Sequence, residues 1–362
     1  MILMKKSSCF ILFLCGLMVF SLLLLGACGS TPAPANQTPA SPAGSAAEPA
    51  PGAAAGQDLA ADTAPLNVTF AGSSPGGVWY MVMGGVTETI NKSFPQSSVT
   101  VVPGDGVSNL IRVANGEAEI GMSHSAIAAA AVMGGDPFEE VYENVATVAA
   151  LYPSHLQFVV TEKSGITSIR QIMENQMKAR LSVDAPGSTG ELAFKRMINE
   201  YGFTYEDIER WGGQVVYKNM GDSSDMLSDG LLDGMSTMTL YPASPITEAA
   251  VNNKLIMMDI EPAIAAALSE KYGYGVSTIP GGTYQFQPED VTSASSYTVI
   301  CVPKFSDDEV AYKVAKSIAE NLAYLKSVHV AMEDLTPLGL TENLGAPLHP
   351  GAERYYREQG IL

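Results

Sequence analysis

Twice in this sequence a short strand-like run gives way at once to a glycine- and serine-rich turn and then to a helix, and that pairing limits the fold more than any other feature. The first run, Leu66-Asn67-Val68-Thr69-Phe70, is apolar at every second residue, the mark of a strand with one buried face. Gly72-Ser73-Ser74-Pro75-Gly76-Gly77-Val78-Trp79-Tyr80 follows it. The second run, Arg180-Leu181-Ser182-Val183, leads into Asp184-Ala185-Pro186-Gly187-Ser188-Thr189-Gly190-Glu191 and a helix with Leu192, Phe194, Met197 and Ile198 on one side. First-turn amides of a helix have no internal partner and sit at the positive end of its dipole. Each turn therefore reads either as a cradle for a carboxylate or as a plain turn with an N-cap. Two copies, one in each half of the chain, suggest a cleft between two lobes.

Between and beyond the turns the same grammar continues. Val82 to Phe94 reads as a helix stopped by Pro95, and Ser98 to Val102 as a strand. Gly104-Asp105-Gly106-Val107-Ser108-Asn109 opens a helix with Leu110, Ile111 and Val113 apolar, ended by Asn115-Gly116. Ala118 to Met122 is a short strand, and Ser123-His124-Ser125 joins it to a helix from Ala126 to Met133. Ligands of open α/β sheets bind outside the carboxyl ends of strands, so residues 73–80, 106–109 and 123–125 should converge. Val145 to Val160, two apolar runs around Tyr152-Pro153-Ser154-His155, looks like chain leaving one lobe for the other. Residues 202–213 read as a polar, aromatic connection, Val215 to Tyr217 as a strand, and Ser223 to Asp229 as a helix. In the loop Leu240-Tyr241-Pro242, Tyr241 either closes the cleft or simply packs. Ala263 to Tyr272 is helical and Ile279 to Tyr284 is a turn. Ser296 to Val302 is a buried strand crossing back, Asp307 to Leu325 is one helix, and Pro350 starts a last one.

The 362 residues suffice for two domains with ample cores, and 46% hydrophobic composition marks a globular chain. A formal charge of −18 excludes nucleic acid as a partner. Lys5 and Lys6, an apolar run from Phe10 to Leu25 and Leu25-Gly26-Ala27-Cys28 together resemble a bacterial lipoprotein leader over residues 1–27, with Cys28 lipidated. Residues 28–65, rich in Ala, Pro, Ser, Thr and Gly, cannot bury enough surface to fold and read as a tether. Cys9 and Cys15 leave with the leader, so Cys301 stands alone, with no disulfide framework and no metal set. His124, His155, His329 and His349 show no metal-ligand spacing, and no Gly-x-Ser-x-Gly elbow is present, so neither a catalytic residue nor a cofactor is expected.

Together, Gly76-Gly77-Val78-Trp79-Tyr80, Gly106-Val107-Ser108-Asn109, Asn115-Gly116-Glu117-Ala118-Glu119, Pro186-Gly187-Ser188-Thr189, Asp229-Gly230-Leu231-Leu232-Asp233, Gly282-Thr283-Tyr284 and the tail His349-Pro350-Gly351-Ala352-Glu353-Arg354-Tyr355-Tyr356 resemble the TAXI family of TRAP-transporter solute receptors. The resemblance spans residues 66–362. It implies an α/β, two-lobed, periplasmic-binding-protein-like (type II) fold with a central ligand cleft, lobe I over 66–157 plus 299–362 and lobe II over 158–298. It also implies a small carboxylate or amino-acid ligand, such as glutamate, glutamine or 2-oxoglutarate, handed to the membrane subunits of a sodium-coupled TRAP permease by a lipid-anchored extracytoplasmic protein. By resemblance and chemistry, amides around Ser73, Gly77 and Val78 and from Gly187 through Ser188 to Thr189 take carboxylate oxygens. Ser73, Ser108, Ser123, Ser125, Ser188 and Thr189 bring hydroxyls, Asn109 a donor or acceptor, and Trp79, Tyr80 and Tyr241 walls. Asp184, where the family more often has glycine, either faces the pocket and disfavours a second carboxylate or caps the helix that begins at Ser188. Residues 235–239 also depart from the family's more aromatic pattern. Two other classes remain open: a receptor for an ATP-driven transporter or a sensor kinase, and a lipoprotein hydrolase.

Overall fold

The structure, a computed structural model, describes residues 63–73, 75 and 77–362. The leader, Cys28, nearly all of the tether, and Ser74 and Gly76 of the first turn lie outside the described residues.

Among the described residues ten strands form one continuous sheet. They are β1 (Asn67–Ala71), β2 (Ser98–Val102), β3 (Ile120–His124), β4 (Ala146–Thr161), β5 (Arg180–Val183), β6 (Gln214–Tyr217), β7 (Gly234–Thr239), β8 (Leu255–Met257), β9 (Gly275–Ile279) and β10 (Val291–Val302). The order is β2-β1-β3-β10-β4-β7-β5-β6, with β8 also on β4 and β9 on β10. At one end β1, β2 and β3 run parallel, and at the other β5, β6 and β7 do. The long strands β4 and β10 run antiparallel between these sets and serve both. The later part of β10 pairs with β3 and its start with β9, while β4 pairs along its later part with β7 and β8. Both strands are buried along nearly their whole length, as expected of central strands in an α/β sheet, although β10 carries Ser293, Ser295 and Ser296 and β4 carries Ser154, His155 and Gln157. Each end has its own core: Phe70, Val86, Ile120, Ile300 and Tyr356 in one, Phe158, Leu181, Phe194 and Ile208 in the other. One sheet with a separate core at each end makes this a two-lobed α/β fold, as the sequence led us to expect.

Several elements differ from the sequence reading, each for a local reason. The first helix is Gly77–Ser93, so Val78 to Met81 lie in its opening turn rather than in a loop. The two runs around Pro153 are one strand. At Pro153 only β10 is a neighbour, because β7 joins β4 from His155 onward, and a residue without an N–H is tolerated there. Residues 202–213 contain a helix, Tyr205–Arg210, started by a reciprocal cap between Thr204 and Asp207. The helix expected over 307–325 breaks at Asn321 into Asp308–Glu320 and Leu322–Val328.

The tail helix, Pro350–Glu358, starts with Pro350 in its first turn and His349 as N-cap, whose Nδ1 accepts from Gly351 N at 3.1 Å. Tyr356 donates its hydroxyl to Val148 O of β4 at 3.0 Å. Gly351 is pressed against the helix Asp308–Glu320, where a Cβ would lie 2.0 Å from Asp308 O. Gly84, exposed in the first helix, has nothing within 4 Å of such a Cβ. Gly351→Ala should therefore cost about 1–3 kcal/mol through a backbone clash, whereas Gly84→Ala should stabilise by up to about 1 kcal/mol through helix propensity. Urea unfolding of the two variants checks the opposite signs.

Candidate functional site

In the first lobe the strand ends meet where β3 reaches β10, with His124 opposite Thr298. Trp79, in the opening turn of its helix, donates Nε1–H to Thr298 Oγ1 at 3.1 Å, and its ring stacks on His124 with centroids 4.7 Å apart. His124 is half-buried, and its Nδ1, itself shut off from solvent, has no partner among the described residues. Burial pulls its pKa down to about 4, so the ring is neutral at ordinary pH. Ser123 donates to Gly106 O at 2.7 Å, which joins the end of β3 to the start of the helix Gly106–Ala114. Of the segments 73–80, 106–109 and 123–125 expected to converge, the structure brings together Trp79, Gly106, Ser123 and His124.

Several predicted ligand groups are engaged within the protein instead. Ser108 Oγ donates to Asp105 Oδ2 at 2.9 Å in the cap of its helix. Asn109, fully buried, donates Nδ2 to Gly72 O at 2.8 Å and to Met122 O at 2.9 Å, clamping the ends of β1 and β3 together. Ser125 Oγ accepts from Tyr297 N at 3.0 Å and lies 3.3 Å from Ser296 Oγ. Val78 packs on the first core, Ser73 is half-buried, and Tyr80 is exposed. These residues shape the strand ends.

The second turn was read as the partner cradle. Ser188 is the N-cap of the helix Thr189–Glu200, its Oγ accepting from Glu191 N at 3.3 Å. Gly187, at φ +76°, donates its N–H to Glu191 Oε2 at 3.0 Å. The protein's own carboxylate, only 5% exposed, thus occupies that amide. The spacing Ser188-x-x-Glu191 is the mark of such a cap and was the available signal for Glu191. Asp184 neither caps this helix nor stands free. Its Oδ2 accepts from Thr237 Oγ1 at 3.0 Å and from Met238 N at 3.4 Å, on the neighbouring strand β7. The carboxylate lies against Gly190, where a Cβ would come within 1.9 Å of it. Burial raises its pKa to about 6, and the two hydrogen bonds only partly offset that.

Tyr241 follows β7, and its ring meets that of His155 at 4.7 Å. Its loop is fixed by Gln157, which donates to Thr239 O and Leu240 O at 3.2 and 3.1 Å and accepts from Tyr284. Tyr284 in turn accepts from Ala243 N at 2.7 Å. Gln157 and Tyr284 hold the loop, though their spacing in sequence gave no hint of it. Tyr241, His155, Tyr297, Asp334 and Glu342 are among the residues lining a cavity of about 450 Å³ that reaches from the β4–β10 crossing to the chain near residue 340. Among the predicted ligand residues only Tyr241 lines it.

A carboxyl whose pKa is raised on folding binds its proton more tightly in the native state, so it lowers stability as pH rises through the interval between the two values. For Asp184 that interval runs from about 4 to about 6. Asp184→Asn should abolish this loss, gaining stability over the native sequence at pH 7 but not at pH 4. Paired urea titrations at the two pH values measure the difference, and equal gaps at both would refute the assignment.

Comparison with known proteins agrees with this architecture. A TctC solute-binding protein from Polaromonas is 14% identical, aligns over 83% of this chain and 100% of its own, and superposes with a TM-score of 0.51. The malate-bound MatC of Rhodopseudomonas palustris is 14% identical over 82% of this chain and 98% of its own, TM-score 0.47. The periplasmic binding protein BugD is 14% identical over the same shares, TM-score 0.48. The sequence itself matches a family model over residues 70–360, from β1 through the tail helix, and on that match the chain belongs to the NMT1-like family.

Proposed function

We propose that this protein is an extracytoplasmic solute receptor that takes a small carboxylate or amino acid between its lobes and delivers it to membrane transport subunits. The finer reading is a TAXI receptor serving a TRAP-type sodium-coupled permease, anchored by a lipid on Cys28. The observation that carries the receptor reading is the meeting of strand ends from both lobes on the shared strands β4 and β10: Trp79 and His124 at Thr298, and β7 at His155. Family membership and the fold of the Polaromonas relative support the same reading. Lobe I comprises residues 66–157 and 299–362, lobe II residues 158–298, and the hinge lies near residues 157 and 298. Contacts to both lobes form only in the closed state, so ligand shifts the equilibrium toward it.

The geometry at the histidines favours binding over catalysis. Ser277 has a backbone acceptor in Ser293 O at 3.2 Å as well as His155 Nδ1 at 3.0 Å, so its hydroxyl is shared within the sheet. His124 stacks on Trp79, and burial drives the Cys301 thiol up to about 12, leaving it unreactive. Among the described residues no helix is long and apolar enough to cross a membrane.

Thermal unfolding of the chain from residue 63 onward, against amino acids, 2-oxo acids and dicarboxylates, tests the proposal. A ligand at 100 times its dissociation constant adds about 2.7 kcal/mol, and one selective shift is expected. Trp79→Ala should weaken that ligand at least tenfold in calorimetric titration. No shift from any compound, in protein refolded free of carried-over ligand, would refute the receptor assignment.

A further inference from the structure

We infer that the cavity of about 450 Å³ at the β4–β10 crossing is a binding site for a small organic cation, a protonated or quaternary amine on a short carbon skeleton. The site's purpose rests on the receptor reading above, which it sharpens by giving the solute an amine. The volume falls within the range of small-molecule sites, roughly 300–1,000 Å³. Buried His155 and Leu335 form its floor, the half-buried rings of Tyr241 and Tyr297 its walls, and Asp334 and Glu342 stand exposed at its rim. Tyr241 comes from the loop after β7, and both carboxylates from the chain that follows the helix Leu322–Val328, so one solute there touches both proposed lobes.

Charge and surface chemistry select the ligand. Among the described residues the carboxylates of Asp334 and Glu342 have no hydrogen-bond or ion-pair partner, and no Lys or Arg lines the cavity. Burial, and then the nearby charge of Glu342, push the Tyr297 hydroxyl pKa up, which puts that carboxylate beside an aromatic wall. His155 adds no positive charge, because burial pulls its pKa down to about 4. It is only 7% exposed, and its Nδ1 is engaged with Ser277 at 3.0 Å. Its Nε2, by contrast, has no partner among the described residues and is not shut off from solvent, so a polar atom on the floor is left open to the cavity. Unpaired carboxylates around aromatic faces repel an anion and attract an ammonium, by charge at the rim and by the ring quadrupoles at the walls. A bare metal ion does not suit the site, since among the described residues no three His, Cys, Asp or Glu side chains are grouped to hold one.

Calorimetric titration of the protein with putrescine, lysine and choline, beside 1,4-butanediol as the uncharged counterpart of putrescine and magnesium chloride as a metal control, tests this. At least one amine should bind, and the diol and the metal should not. Asp334→Asn and Glu342→Gln should each weaken that amine about threefold and together about tenfold. Both side chains are exposed, so the variants should fold, and Glu333→Gln, exposed beside Asp334 but outside the cavity, should change affinity less than about twofold. Tyr241→Leu, which keeps an apolar wall without the ring's negative face, should weaken the same amine about threefold. Added salt should weaken it more in the native protein than in the double variant. Amines that do not bind, that bind the double variant equally well, or that bind no better than the diol would overturn the inference, while a selective shift by a carboxylate in the thermal panel would leave the receptor reading standing. Failure of every amine, amino acid and carboxylate would remove both.

Discussion

Everything in this molecule hangs on the antiparallel pairing of β4 and β10. Each is a central strand of both lobes at once, so neither lobe can complete its sheet without lending chain to the other. Their register slips between Tyr297 and Val299 and again between Ile300 and Cys301, beside Pro153, which cannot donate to the ladder. Irregular pairing of this kind bends and twists a strand locally. The crossing is thus the least regular part of an otherwise well-paired ladder, flanked by two cores that pack independently. Rigid cores joined through an irregular strand pair are what hinge closure requires.

The same crossing explains why the functional groups gather where they do. Strand β3 ends at His124 opposite Thr298, and β7 ends at Thr239 opposite His155. Side chains that follow those ends, or that sit on helices starting beside them, have little choice but to face the crossing. Trp79 reaches it from the first helix, and Tyr241 from the loop after β7, which Gln157 and Tyr284 fasten to β4.

The sequence made some of this plain and hid the rest. Strands such as Leu66 to Phe70 and Arg180 to Val183 alternate or stop at a glycine-serine turn, so local pattern located them. β7 did not stand out, because Gly234-Met235-Ser236-Thr237-Met238-Thr239 lacks a β-branched apolar run. It is a strand because β4 and β5 pair with it on either side, an effect of tertiary context. β8 and β9 are short additions to the long strands and depend on them in the same way. At the site, positions 79, 106 and 123 converged as the order of strands and turns implied. What pattern could not supply was the allegiance of each polar group. Nothing in the residues 106–109 says that the Asn109 amide reaches back 37 positions to Gly72 O, or that Ser125 serves Tyr297 rather than a ligand.

The internal cap at Gly187 has a physical reason. A helix N-terminus exposes amides that water satisfies but does not hold in place. With Glu191 on Gly187 N–H and Ser188 on Glu191 N–H, the turn is held in place by the chain's own groups. The gain carries a limit. Each amide satisfied internally is one that no ligand can use, and the charge that steadies the empty turn is the charge an anion would meet. Because the first-lobe histidine at the crossing is held neutral by burial, no compensating positive charge comes from His124. The groups that the structure brings to this crossing are therefore dipoles and aromatic faces rather than positive charge.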